Sequence, residues 1–264
     1  LNILQEIAER TKERVAVQKK KQPLEQIIEL VQAECSNSFP FDDALKTEDI
    51  AFICEVKKAS PSKGVIAEDF PYVQIAKKYE AAGAAAISVL TEPFYFKGHD
   101  NYLCEIANHV SIPLLRKDFT VDSYMIYEAK LLGASAVLFI CTLLDFDTLA
   151  EYIAIAHGIG LSALVETHNE AEVHMALKAG ARIIGVNNRN LKTFEVDMAL
   201  SERLKNLVPP NIIFVSESGI KTPNDVAKLR GIGVNAVLIG ETIMRSSDKY
   251  SEILRLRGKE HGQN

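Results

Sequence analysis

The chain has 264 residues, 47% of them apolar, enough to bury a sizeable core and to exclude a disordered polymer. Thirty Lys and Arg against thirty-five Asp and Glu leave a formal net charge of −5, so no global positive field exists to hold nucleic acid or an anionic membrane, and an anionic ligand must meet locally placed cations. No apolar run approaches the ~18 residues a membrane span requires and no basic-then-apolar leader opens the chain, so the expectation is a soluble, cytoplasmic protein.

Residues 1–45 come first and read as helical, with Ile3, Leu4 and Ile7, then Leu24, Ile27, Ile28 and Val31, at amphipathic spacing. Pro23 falls where a second helix would begin, a first-turn position that needs no N–H. Lys19-Lys20-Lys21 reads as a solvated helix end rather than a binding patch. A segment of this length lacks a core of its own, so the expectation is a single domain over 1–264 with 1–45 as a helical extension packed on the remainder.

Beyond it one phrase recurs. Ala82-Gly83-Ala84-Ala85-Ala86-Ile87-Ser88-Val89-Leu90 echoes in Leu132-Gly133-Ala134-Ser135-Ala136-Val137-Leu138-Phe139-Ile140, in Ala179-Gly180-Ala181-Arg182-Ile183-Ile184-Gly185-Val186 and in Ile232-Gly233-Val234-Asn235-Ala236-Val237-Leu238-Ile239-Gly240. Each copy is a helix that ends at a glycine and passes at once into an apolar strand. The copies stand about 50 residues apart, room for two strand-helix units, and further strands are predicted at 52–56, 113–116, 161–165 and 212–216, with helical patterns such as 122–132 and 169–178 behind them. Eight strands alternating with eight helices demand parallel pairing and right-handed crossovers, and close within about 200–250 residues into a (β/α)8 TIM barrel. An open doubly wound sheet would show a Gly-rich turn after its first strand, and Glu55-Val56-Lys57-Lys58-Ala59-Ser60-Pro61 has none.

Cys35, Cys54, Cys104 and Cys141 are far apart, follow no zinc spacing, and read as buried, reduced thiols. His168 and His174 are six apart and miss the i,i+4 pairing of a helical metal site, and the other histidines are scattered, so no metal site is expected.

Alternate residues of a barrel strand face inward, and chemistry belongs at the C-terminal strand ends. Ile53, Glu55 and Lys57 share the inward face of the first strand. The third strand ends at Lys117, the fifth at Glu166, the sixth at Asn187 and the seventh at Glu217. Paired as plain salt bridges, so many buried charged and amide groups would cost several kcal/mol each unless their partners were excellent, and a purely structural barrel fills this layer with Val, Ile and Leu. A site is the better account. After the seventh and eighth strands, Glu217-Ser218-Gly219-Ile220 and Ile239-Gly240-Glu241-Thr242 offer backbone N–H groups to a phosphate, with Lys57 nearby. Ser60-Pro61-Ser62-Lys63-Gly64 is either a lid or a connector.

These residues resemble the indole-3-glycerol-phosphate synthase family along nearly the whole chain. Glu55-Val56-Lys57-Lys58-Ala59-Ser60-Pro61-Ser62-Lys63-Gly64 is similar to its long signature. Leu90-Thr91-Glu92-Pro93 with Phe96 and Gly98, Leu115-Arg116-Lys117-Asp118-Phe119, and Leu164-Val165-Glu166-Thr167-His168 look like its second, third and fifth strand ends. Gly185-Val186-Asn187-Asn188-Arg189-Asn190-Leu191 and Ser216-Glu217-Ser218-Gly219-Ile220 look like its sixth and seventh.

The resemblance implies conversion of 1-(2-carboxyphenylamino)-1-deoxyribulose 5-phosphate to indole-3-glycerol phosphate, with loss of carbon dioxide and water and with neither metal nor cofactor. It implies a general acid in Lys117, proton transfers shared among Lys57, Glu55 and Glu166 with the order left open, and orientation by Asn187 and Glu217. It further implies substrate contacts from Ser60, Phe96, Phe119 and Arg189, the two Phe rings flanking the aromatic ring or simply packing. Phosphate would rest on Ser218, Gly219, Gly240 and the backbone of Glu241, with Lys57 assisting. Some relatives carry serine where Glu241 stands, so only a backbone donor is expected there. The partner is then a small phosphorylated substrate, with other tryptophan-pathway enzymes as candidate associates of a monomer. Two other readings compete: a different phosphosugar barrel, such as the isomerase preceding this step, and a catalytically silent sensor. Neither has a use for lysines on both the first and third strands beside Glu166.

Overall fold

The computed structural model describes residues 3–33, 38–190 and 192–258. Cys35, Leu191 and the chain end beyond 258 lie outside the described residues.

Three helices precede the barrel: α1 (Ile3–Lys21), α2 (Leu24–Ala33) and α3 (Pro40–Ala44). The amphipathic spacing of the first two becomes a packed face, in which Val15 and Ile27 are buried against Tyr124 and Met125 of the helix Tyr124–Leu131. Pro23 stands one residue earlier than expected, before the helix proper, where its carbonyl accepts from the Ile27 N–H at 3.3 Å. Lys19 is no idle solvated end either: its Nζ meets Asp122 Oδ2 at 2.7 Å and ties α1 to the loop before that helix. The third helix closes the N-terminal mouth of the barrel with Phe41 and Leu45, both essentially inaccessible. Beside them the buried carboxylate of Asp42 accepts from Ser162 and pairs with Arg182 at 3.2 Å.

The strands are β1 (Ala51–Val56), β2 (Ala86–Leu90), β3 (Leu114–Lys117), β4 (Ala136–Ile140), β5 (Ser162–Thr167), β6 (Ile183–Asn187), β7 (Ile213–Glu217) and β8 (Ala236–Ile239). All pair in parallel in sequence order, and β1 closes the ring by pairing with both β2 and β8, Ile53 standing opposite Ala86 on one side and Leu238 on the other. The period of two divides every strand between two cores. On β1, Ala51 and Ile53 face the barrel interior while Phe52, Cys54 and Val56 face the helices. Burial on both faces explains why these segments read as continuous apolar runs rather than alternating ones.

The recurring phrase has one physical cause. Gly83, Gly133, Gly180 and Gly233 all take positive φ, between 76° and 90°, just past a helix end. In each, the glycine N–H bonds three residues back and the next N–H five residues back, as with Gly83 to Glu80 and Ala84 to Tyr79. That is the Schellman cap, in which a residue without Cβ enters the left-handed region freely and satisfies the last carbonyls. Among the thiols, Cys54 and Cys141 are buried and burial pushes both up to about 12, whereas Cys104 is only partly covered. Among the described residues no helix is long and apolar enough to cross a membrane.

Candidate active site

Every polar residue expected at the C-terminal mouth lines one cavity of about 470 Å³: Glu55, Lys57, Lys117, Glu166, Asn187 and Glu217 form its floor. They continue the inward faces of β1, β3, β5, β6 and β7 by one pleat above the apolar layers, which is why they converge. Lys117 Nζ stands 3.4 Å from Glu166 Oε2 and 4.0 Å from Glu217 Oε2. Asn187 Nδ2 donates to Glu166 Oε1 at 3.3 Å. Across the floor, Lys57 Nζ and Glu55 Oε1 pair at 2.5 Å.

Burial by itself would discharge Lys117, but attraction by Glu166, then Glu217 and Glu55, outweighs it and holds the ammonium well above its ordinary range. The two carboxylates beside it are pushed apart. Burial opposes ionisation of Glu166, yet Lys117, His168 and Asn187 overrule that cost and lower its pKa. Glu217 meets the same burial, the repulsion of an ionised Glu166 and weaker help from Lys117, so its pKa rises. Two carboxyl groups beside one ammonium are therefore driven in opposite directions, Glu166 toward the carboxylate and Glu217 toward the acid.

Two glycines make this floor possible. A Cβ at Gly185, on the inward face of β6, would collide with Glu217 Oε1, and one at Gly240 would collide with Glu55 Oε1 and stand 2.9 Å from Lys57 Nζ. Gly185→Ala is expected to displace Glu217, lowering kcat at least about tenfold and stability by roughly 1–3 kcal/mol through overpacking; steady-state kinetics with a thermal melt checks it, and wild-type values would show that Glu217 tolerates a new position.

One wall suits an anion. Ser218 and Gly219 both have positive φ, 66° and 87°, and Gly240 precedes the short helix Glu241–Arg245, whose first N–H groups have no partner inside the helix. Thr242 Oγ1 donates to the Ile220 carbonyl at 2.6 Å and binds the two loops together. The Glu241 carboxylate reaches Lys63 at 3.7 Å, Arg189 at 3.8 Å and Arg245 at 3.1 Å. That places Arg189 on the cradle side, beside a site carboxylate. Ser60 is buried in a two-stranded ribbon, Ala59–Ser60 against Gly64–Val65, rather than in an irregular loop.

The opposite wall is apolar: Phe96 and Phe119, ring centroids 5.8 Å apart, with Leu90, Ile140 and Ile3 and Ile7 of α1. The buried Glu92 carboxylate accepts the N–H groups of Phe94, Tyr95 and Phe96 at 2.8–2.9 Å and so folds the loop that presents Phe96. Asp118 does the same for Phe119, accepting its N–H at 2.8 Å, Thr91 at 2.6 Å and Arg14 of α1 at 2.8 Å.

Sequence reading did not assign Phe194, Val196, Lys63, Lys221 or Arg245 to this cavity, because the first four reach it from loops without periodic signal and Arg245 from a helix of only five residues. It also passed over His168, whose ring stands 3.2 Å from Glu166. The signal was there: His168 is two residues beyond Glu166, just past the end of β5, where the period of two carries it toward the same face.

The family model described as "Indole-3-glycerol phosphate synthase" matches residues 4–256. A protein of that name from Ruminiclostridium cellulolyticum is 59% identical over 261 residues, covering 97% of this chain and 99% of its own. One from Endomicrobium trichonymphae is 57% identical over 221 residues, covering 84% of this chain and 86% of its own. Among solved structures, 3-hexulose-6-phosphate synthase from Salmonella typhimurium superposes with a TM-score of 0.64 at 16% identity, over 79% of this chain and 97% of that one, a likeness of fold alone. Since the family model spans residues 4–256 and relatives 49–59% identical cover 97% of the chain, the chain belongs to the indole-3-glycerol phosphate synthase family, enzymes of tryptophan biosynthesis.

Proposed function

We propose that this cavity binds 1-(2-carboxyphenylamino)-1-deoxyribulose 5-phosphate and closes its indole ring, releasing carbon dioxide and water. One observation carries the reading: a buried ammonium, Lys117, stands within 4.0 Å of two buried carboxyl groups, Glu166 and Glu217, on the floor of a cavity that also holds an apolar wall and an anion cradle.

The substrate's phosphate would occupy the cradle of Ser218, Gly219, Gly240 and the Glu241 N–H, with Lys57 beside it. Its aromatic ring would lie along Phe96 and Phe119, and Ser60 and Arg189 would close the site from their loops. The ring carbon bearing the carboxylate is a weak nucleophile, so its attack on the ketone needs the carbonyl oxygen protonated as the C–C bond forms; Lys117 supplies that proton. Loss of the carboxyl group as carbon dioxide restores aromaticity. The new hydroxyl then departs as water, taking a proton from an acid while a base removes one from the adjacent carbon or nitrogen. Glu166 as carboxylate and Glu217 as acid, or the Lys57–Glu55 pair across the floor, supply both roles, and Asn187 orients Glu166.

On this reading the N-terminal helices and the barrel are one domain, since Ile3, Leu4 and Ile7 complete the cavity wall. Among the described residues the large exposed apolar side chains, Val17, Leu30, Phe94, Val196 and Tyr250, come from separate elements and form no single patch, which supports a monomer; a cytoplasmic location and contacts with other tryptophan-pathway enzymes are part of the same reading. The deciding experiment mixes purified protein with the carboxyphenylamino-deoxyribulose phosphate and follows the indole chromophore. Turnover is expected; tight binding without turnover would turn the case toward a sensor.

A further inference from the structure

Glu166 has a partner that the ring closure leaves without a task. His168 Nε2 lies 3.2 Å from Glu166 Oε1, and its Nδ1 lies 3.1 Å from Glu172 Oε2. The Nε2–H is not aimed along a hydrogen bond, so the contact with Glu166 is one of charge. Glu172 sits in the first turn of the helix Glu170–Lys178 and is itself held: the His168 N–H donates to it at 2.8 Å, Asn169 Nδ2 at 2.9 Å and Thr142 Oγ1 at 3.1 Å. Asn169 in turn caps the helix by accepting the Glu172 N–H at 2.9 Å.

A cap alone would account for Asn169 and Glu172, but not for an imidazole with a carboxylate at each nitrogen. A neutral ring would either turn its Nδ1 lone pair on Glu172 or set an uncharged nitrogen beside Glu166, so one carboxylate would go without its counterpart. Only the imidazolium suits both. The other groups facing Glu166 are Lys117 from β3, Glu217 from β7, Asn187 from β6 and the Cys141 thiol after β4, with Glu55 behind Lys117. Among the described residues, Lys117 and His168 are the cations paired with this carboxylate. Burial disfavours the charged ring, but Glu166 and Glu172 overrule it and raise its pKa to about 10.

Lys117's own role creates the need for a second cation. A carboxylate neutralised by Lys117 alone would lose its counter-charge whenever that lysine's proton passes to substrate, and would then take up a proton itself. We propose that His168, clamped by Glu172, is a positioning residue that keeps Glu166 an oriented carboxylate while Lys117 serves the substrate. The task assigned to Glu166 rests on the ring-closure reading; the clamp does not.

Two measurements separate those layers. In the free protein, the ring nitrogens of His168 are followed by 15N NMR, assigned by their loss in His168→Gln. Both are expected to remain protonated at pH 8, where an ordinary histidine is neutral, and Glu172→Gln should lower the midpoint by about one to two pH units. A neutral wild-type ring at pH 8 overturns the clamp, whether or not the protein turns over substrate. In the enzyme assay, His168→Gln is expected to lower kcat roughly 10–100-fold with KM within about threefold, and to move the acid limb of kcat/KM upward by about one pH unit. Glu172→Gln, farther from the floor, should move the same limb by less. A purely structural histidine would lower stability and leave the limb in place, so an unmoved limb in an active, folded variant overturns the positioning role. Absence of turnover in the wild type would instead count against the ring-closure reading, with the NMR titration still deciding the clamp.

Discussion

Lys117→Met is expected to cost about 10³–10⁴-fold in kcat while substrate KM stays within a few-fold. Methionine fills much the same volume, so the loss isolates the ammonium from its packing. The magnitude reflects two roles lost together: proton donation to the ketone, and the central cation between Glu166 and Glu217. Without that cation Glu166 keeps only His168 as counter-charge, so its pKa rises. Any residual activity should accordingly show an acid limb at higher pH than the wild type. The variant should still bind indole-3-glycerol phosphate, because the cradle is built from other residues. Retention of more than a tenth of wild-type kcat would remove Lys117 from the chemistry, and loss of product binding would make it a binding residue instead.

Gly219→Asp should have the second largest effect, weakening binding of any phosphorylated ligand by about 10²–10³-fold. An aspartate there sets a negative charge against the dianion in a partly enclosed site. The geometry shows why this variant needs a control. Gly219 has φ of 87°, and a Cβ would stand 2.5 Å from Val196 Cγ1 and 2.7 Å from Met198 Sδ. Gly219→Ala carries the same backbone strain and the same clash without the charge. The difference between the two variants in inorganic phosphate and product affinity, measured by calorimetry, therefore reports on electrostatics alone. If alanine and aspartate weaken binding equally, the phosphate does not lie on this loop.

The barrel was legible in the sequence because its cause is local and repeated. A helix ending at a left-handed glycine and followed by a strand is one motif, and Gly83, Gly133, Gly180 and Gly233 carry it four times with the same bonds. The third strand ends at Lys117 as read from the sequence, while the fifth runs one residue past the expected Glu166, to Thr167. The polar floor was legible too, since period-two alternation puts Glu55, Lys57, Lys117, Glu166, Asn187 and Glu217 on inward faces before any coordinates are known. Loop chemistry was not. Glu92 shaping the turn before Phe96 and the short ribbon that buries Ser60 are local but carry no periodic pattern, and the cluster joining Glu241 to Lys63 and Arg189 depends on residues brought together from distant parts of the chain.

Composition and periodicity determined the architecture and which side chains could meet, because both derive from the handedness and repeat of an L-amino-acid backbone. Tertiary structure alone decided how those side chains divide their charge. Glu166 and Glu217 are the same residue type on similar strand ends, and their different approach to Lys117, with His168 and Asn187 beside Glu166 alone, drives one toward the carboxylate and the other toward the acid. Electrostatic energy depends on ångström distances in a site shielded from water, and no linear pattern encodes them.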